Sequence, residues 1–224
     1  MKAGCKHRHM VKFERKVLIV EDEPLLRVLI SNTLEAEGFI VASAANAAEA
    51  RRVADDFDPD IALLDIELGD GPSGIDLALI LRRNSPEIGL VFLTHIPEPR
   101  VVGVDNKVIP RNAAYLVKDR IAESGVLRSA IEAALRDRVS REFRDDKKAH
   151  ALSDVSRSQL EVFKLVALGR SNSEIAAARG TTIRAVENLV KRAMEAAGIN
   201  PGEGNARVLA AREFIKVAGL PHDK

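Results

Sequence analysis

The stretch Val17-Leu18-Ile19-Val20-Glu21-Asp22-Glu23-Pro24 decides how this chain reads. Four aliphatic residues in unbroken succession suit a strand covered on both faces, and the proline four residues after Val20 suits the first turn of a helix. A strand that runs through three carboxylates straight into a helix is one unit of an alternating α/β fold. The same unit recurs outward from it. Further strands are expected at 39–43, 61–64, 90–94 and 114–117, and helices at 24–37, 47–55, 74–83 and 122–138. Strand alternating with helix argues a parallel sheet with helices on both faces, so we expect a doubly wound five-stranded sheet of order 2-1-3-4-5. One connection is irregular. Residues 96–112 hold Pro97, Pro99, Gly103 and Pro110, so the helix between the fourth and fifth strands is expected to be short, shifted or absent.

Past residue 152 no strand pattern remains. Helical patterns cover 158–168, 172–178, 183–197 and 206–218, which makes a second, smaller all-α domain at 152–219 after an α/β domain at 16–135. The 224 residues suffice for two modest domains. Residues 136–151 are charged and free of glycine and proline, and are expected to extend the preceding helix as a semi-rigid linker. Composition narrows the classes. Hydrophobic residues at 46% and charged residues at 30% exclude a disordered chain. Apolar runs of four or five residues are too short for a membrane helix. The single Cys5 excludes an internal disulfide and a cysteine zinc site and fits a reducing cytoplasm. Residues 1–15 are basic but lead into no apolar signal region. Positions 16–135 hold 12 basic and 20 acidic residues and positions 149–224 hold 11 and 8, an acidic body with a basic tail.

The acidic body places its chemistry at strand ends. Glu21, Asp22 and Glu23 follow the first strand and Asp65 ends the third; in the expected order those two strands are neighbours. Packed carboxylates repel one another unless a cation or proton neutralises them, and Mg2+ is the fitting ion because it takes carboxylate oxygens and keeps waters for a phosphate. Thr94 and Lys118 end the fourth and fifth strands, adding a hydroxyl and an ammonium to the same pocket. A carboxylate nucleophile, a divalent ion, a hydroxyl and an ammonium are the parts of a phosphoryl-transfer site. Each residue singly has a bland reading as helix cap, turn former or solvated lysine; the set across four strand ends does not.

Val17–Pro24, Leu63-Leu64-Asp65-Ile66, Phe92-Leu93-Thr94 and Tyr115-Leu116-Val117-Lys118 resemble the flavodoxin-like receiver domain of two-component response regulators. The resemblance implies that Asp65 accepts a phosphoryl group from a sensor histidine kinase. It also implies that Glu21, Asp22, Asp65 and the backbone carbonyl of Glu67 hold Mg2+, that Thr94 and Lys118 engage phosphoryl oxygens, and that Tyr115 is the aromatic switch residue. Such a protein is a phosphoacceptor rather than an enzyme with an external substrate. The sequence departs from the family at Asp119 and Gly69, where proline is usual, and at His95, where a small residue is usual. A magnesium-dependent phosphatase of the haloacid-dehalogenase type is the rival reading, with Glu67 as second acid; Gly69 and the lack of a cap domain count against it.

In the tail, Ser171-Asn172-Ser173-Glu174 is a capping box, Gly180-Thr181-Thr182 makes a turn, and 183–197 is a longer amphipathic helix. That is helix-turn-helix spacing. Val186, Val190, Ala193 and Ala197 share one face, leaving Arg184, Glu187, Asn188, Lys191 and Arg192 for a major groove. A run from Ser158 through Gly169, with Glu174-Ile175-Ala176, Val186 and Gly198-Ile199, resembles the LuxR-type output domain of response regulators. This resemblance implies double-stranded DNA as partner and a homodimer when phosphorylated. Ala185, Leu189, Glu187 and Ala196 depart from the usual pattern, which predicts a weak grip on phosphates. A tail that only docks protein is the other alternative.

Overall fold

The computed structural model describes residues 14–102, 108–123 and 125–219. The strands are β1 (Lys16–Val20), β2 (Ile40–Ala44), β3 (Ile61–Leu64), β4 (Gly89–Thr94) and β5 (Ala114–Val117). They form one parallel sheet of order β2-β1-β3-β4-β5, as expected. Alternation along each strand sorts the apolar side chains to two faces. Leu18, Val20, Ala62, Leu64, Leu90, Phe92 and Tyr115 pack with helices α2 (Ala47–Phe57) and α3 (Gly74–Asn84). Val17, Ile19, Ile61, Leu63, Val91, Leu93 and Leu116 pack on the other side with α1 (Pro24–Ala36) and α4 (Val126–Leu135). Because both faces are covered, the strand interiors are almost wholly apolar, and polar chemistry is confined to the strand ends.

Local signals set the helix starts. Pro24 opens α1, Asn46 accepts from the Glu49 amide to cap α2, and Ser73 with Asp76 forms a capping box on α3. Two expectations are corrected. The helix expected at 122–138 runs only from Val126 to Leu135, because Lys118–Ala122 forms a 3₁₀ turn and Gly125 precedes the helix at φ 75°, while Asp137 beyond its end has φ 55°. The linker does not extend that helix. It folds into two 3₁₀ turns, Arg141–Phe143 and Asp145–Lys147, and lies along the exposed edge of β5. Arg144, Asp145 and Asp146 are buried against β5, where a charged extension of the helix was expected. Arg144 pairs in parallel with Tyr115, so the linker covers a sheet edge that would otherwise be open.

Between β4 and β5 the expected helix is reduced, among the described residues, to the 3₁₀ turn Pro99–Val102; Gly103 lies outside them. Of the basic segment 1–15, only Glu14 and Arg15 are among the described residues. The second domain holds α5 (Arg157–Ala167), α6 (Asn172–Ala178), α7 (Ile183–Ala196) and α8 (Ala206–Ala218) around a core of Leu160, Phe163, Ile175, Val186, Val190, Ala193 and Phe214. No helix among the described residues is long and apolar enough to cross a membrane.

Candidate phosphoacceptor site and helix-turn-helix

The parallel register brings the strand-end residues together. Val20 pairs with Leu64, so Glu21 and Asp65, each one residue further, emerge side by side. One carboxylate oxygen from each of Glu21, Asp22 and Asp65 lies within 4.8 Å of the others. Lys118, next after β5, extends across two strands and sets its Nζ 2.8 Å from both Glu21 and Asp65 carboxylates. Glu21, Asp65 and Lys118 are all buried, while Asp22 is open to solvent. The Glu67 amide donates to Asp65 Oδ1 at 3.2 Å, which lays the chain after β3 against the acid.

Two buried carboxylates share one ammonium, and the protonation balance follows from that. Burial raises the pKa of Asp65 and of Glu21 above the usual carboxylate range despite their bonds to Lys118; each acid also feels other carboxylates nearby. Burial, with Asp65 close by, also raises Glu67. Burial opposes the charge on Lys118, but its hydrogen bonds to Asp65 and Glu21 outweigh this and hold the ammonium above its ordinary value. The cluster carries more negative charge than it can neutralise. An all-oxygen donor set at this spacing, open to solvent through Asp22, fits a hard divalent cation such as Mg2+.

Two glycines shape the site, and pattern reading did not predict the role of the second. Gly69 has φ 71°, and a Cβ there would sit 3.8 Å from Asp22 Oδ2. Proline cannot take that angle, so glycine is required by the path of the loop. Gly74, at the start of α3, has no room for any side chain: its Cβ would fall 1.8 Å from the Asp65 carbonyl oxygen. Its only sequence signal is a glycine one residue after a capping serine.

Thr94 is fully buried at the end of β4, and its Oγ1 accepts from the Ile96 amide at 3.2 Å. Among the described residues it makes no bond to the acidic cluster. The Ile96 carbonyl in turn accepts from the Tyr115 hydroxyl at 2.5 Å, with the Tyr115 ring wholly inside. Residue 96 therefore joins the hydroxyl and the ring, a link invisible from spacing. His95 projects to solvent.

In the second domain a Ser171–Glu174 capping box opens α6, and the Thr182 side chain caps α7. Val186, Val190, Ala193 and Met194 form the buried face of α7; Ala197, expected there, is only half-buried. Arg184, Glu187, Asn188, Lys191 and Arg192 are all exposed. Lys191 and Glu195 form a loose pair at 4.0 Å.

The chain is similar to several known proteins. Residues 17–105 match the response regulator receiver domain. The chain is similar to the response regulator protein VraR of Staphylococcus aureus strain NCTC 8325 / PS 47, 29% identical over 183 residues that cover 78% of this chain and 86% of that protein. Its fold is similar to the structure of the two-component response regulator RcsB-DNA complex (TM-score 0.58, 20% identity, 92% of this chain and 99% of that one). It is likewise similar to two RcsB dimers bound to two parallel DNAs (TM-score 0.59, 19% identity, covering 92% and 99%).

Proposed function

Because this chain belongs to the response regulators of two-component systems, we propose that Asp65 is its phosphoacceptor and that phosphorylation controls DNA binding by α7. One observation carries the first half: Lys118 Nζ lies 2.8 Å from Asp65 and from Glu21 where the ends of β1, β3 and β5 converge. An Asp65 oxygen attacks the phosphorus of a phosphohistidine on a sensor kinase; the P–N bond breaks and the electron pair leaves with the imidazole, which is protonated. Lys118 holds the nucleophile in place and then balances the charge on the phosphoryl group. The Thr94 hydroxyl supplies a further donor once it leaves the Ile96 amide. Glu21, Asp22, Asp65 and the Glu67 carbonyl would hold Mg2+, which when bound neutralises phosphoryl oxygens. The kinase would dock where α1 exposes Leu25, Val28 and Leu29, spaced along one helical face just beyond Glu21 and Asp22. The chain thus acts as a switch and not on an external substrate.

For the second half, the capped α6-turn-α7 unit presents two arginines, a lysine, Asn188 and Glu187 on one uncovered surface. Arginine and lysine suit phosphates, and asparagine and glutamate suit adenine and cytosine edges. With few cations on that helix, affinity would depend on two copies binding together, consistent with a cytoplasmic regulator that dimerises when phosphorylated. The test is to incubate the full chain with Mg2+ and acetyl phosphate or beryllofluoride and compare it with Asp65→Asn. A mass increase of one phosphate, a rise in dimer and salt-sensitive DNA retention are expected of the native chain alone. Labelling of Asp65→Asn at the native rate, or DNA retention indifferent to salt, would refute the reading.

A further inference from the structure

The irregular connection after β4 leads onto the second domain. Glu98, between two prolines of that connection, is buried. Its carboxylate accepts two bonds from the Arg100 guanidinium, at 2.8 and 2.6 Å, and one from the Arg100 amide at 3.1 Å. A guanidinium held at two points is fixed in orientation, which aims its other donors in one direction. They reach the carbonyls of Leu152, Ser153 and Val155, at 3.0, 3.1 and 2.7 Å, just before α5 begins. His150 closes the same contact. Its Nε2 lies 3.3 Å from Glu98, its Nδ1 accepts from the Leu152 amide at 3.2 Å, and its own amide donates to Ser153 Oγ at 2.8 Å. The linker brings this turn from an anchored point, because buried Asp145 accepts from the Val117 amide at 2.8 Å and from Arg120 at 3.0 Å.

We propose that residues 98–101 of the receiver are a structural part of the second domain, so that the helix-turn-helix is stably folded only when carried by its own receiver. This goes beyond the phosphoacceptor reading and does not rest on it. Leu152 and Val155, whose carbonyls Arg100 holds, have their side chains fully buried in the core of the second domain. Val101 packs against the same core, and the Pro99–Val102 turn rests on α5. Both α7 and α8 pack on α5 in turn, so the receiver turn supports the helix around which the others are assembled. Four helices at 152–219 enclose a small core, and domains of that size are marginal by themselves. Loss of Arg100 would release the turn before α5 and leave Glu98 buried without its main charge partner. The contact supports α7 without covering it, since Arg184, Glu187, Asn188, Lys191 and Arg192 stay exposed.

The chain contains one tyrosine and no tryptophan, so its intrinsic emission reports the receiver through Tyr115, whereas far-ultraviolet circular dichroism reports the helices of both domains. In urea unfolding of the full-length chain, the helical signal is expected to be lost no later than the Tyr115 signal. A helical plateau that outlasts the Tyr115 transition would mean that the second domain folds unaided, and would overturn the proposal. Amide hydrogen exchange is then compared between the full-length native chain and Arg100→Ala. Exchange over α5 and α7 is expected to be about 10-fold or more faster in the variant, while the amides of β1 and β3 change by less than about 2-fold. Exchange in α5 and α7 that keeps its native rate, or that rises no more than in β1 and β3, would likewise overturn it. Should Arg100→Ala fold too poorly to assay, Val101→Ser, which keeps the Arg100 bonds, takes its place under the same comparison, with a rise of about 3-fold or more expected in α5 and α7.

Discussion

Replacing Gly74 with alanine tests the site through its tightest steric constraint. The added Cβ would lie 1.8 Å from the Asp65 carbonyl oxygen, 2.8 Å from its carbonyl carbon and 3.3 Å from the Ile66 Cα. Ordinary contact between these atoms begins near 3.4 Å, so roughly 1.5 Å of overlap must be relieved by backbone and not by a flexible side chain. The Gly74 amide also donates to the Ile66 carbonyl at 3.0 Å, which stops the start of α3 from simply swinging away. Overpacking that moves backbone costs typically 1–3 kcal/mol and sometimes more, and here loss of the amide bond adds about 1 kcal/mol. We expect Gly74→Ala to lose about 3 kcal/mol in urea unfolding of the receiver. We also expect at least a 10-fold slower labelling of Asp65 by acetyl phosphate, because relief of the clash shifts the Asp65 backbone. Gly204→Ala is the control: it has no contact within 4 Å and should change stability by about 0.5 kcal/mol or less. Native stability and labelling in Gly74→Ala would refute the claim that α3 is seated against Asp65 by the absence of a side chain.

Asp65→Asn should leave the metal-free protein as stable as the native chain or more stable by about 1 kcal/mol, because it removes one of two carboxylates competing for Lys118; thermal melts without and with Mg2+ check this, and Mg2+ should raise the melting temperature of the native chain only. Since burial raises the Asp65 and Glu21 pKa values, proton uptake stabilises the folded state at low pH, and that contribution is lost as pH rises through the elevated values. Apparent Mg2+ affinity, measured by the same melts, should therefore keep increasing above the ordinary carboxylate range. Glu98 runs the opposite way: despite burial, its bonds to Arg100 and His150 lower its pKa from 4.5 to about 2. Its contribution, at most about 3 kcal/mol, is complete above pH 4.5 and fades toward pH 2, so the stability gap between native chain and Glu98→Gln should close over that window. On α7, Lys191→Ala and Arg192→Ala should each weaken DNA binding across sequences and reduce the salt slope by about 1, whereas Asn188→Ala should relax base preference at one position.

The legible part of this protein is its strand ends. Short unbroken apolar runs, ended by acids at 21–23 and 65, by Thr94 and by Lys118, marked the strands and the candidate pocket, because strands covered on both faces leave polar residues nowhere else to go. The Ser171–Glu174 capping box and the turn at Thr181-Thr182 are local chemistry and were equally readable. The fate of residues 136–151 was not. A run of six basic and four acidic residues between 136 and 148 looks solvated by composition, and only the open edge of β5 makes burial of Arg144, Asp145 and Asp146 favourable. Nor could spacing show that Thr94 and Tyr115 meet through Ile96, or that Gly74 must stay bare.

The amino-acid order by itself determined which groups could do phosphoryl chemistry and that two domains carry the protein, since periodicity, capping and side-chain type act over a few residues. Only the tertiary structure decided how the two halves are joined. Edge pairing, a shared carboxylate at Asp145 and the reach of Arg100 over more than fifty residues depend on which surfaces the folded chain leaves uncovered.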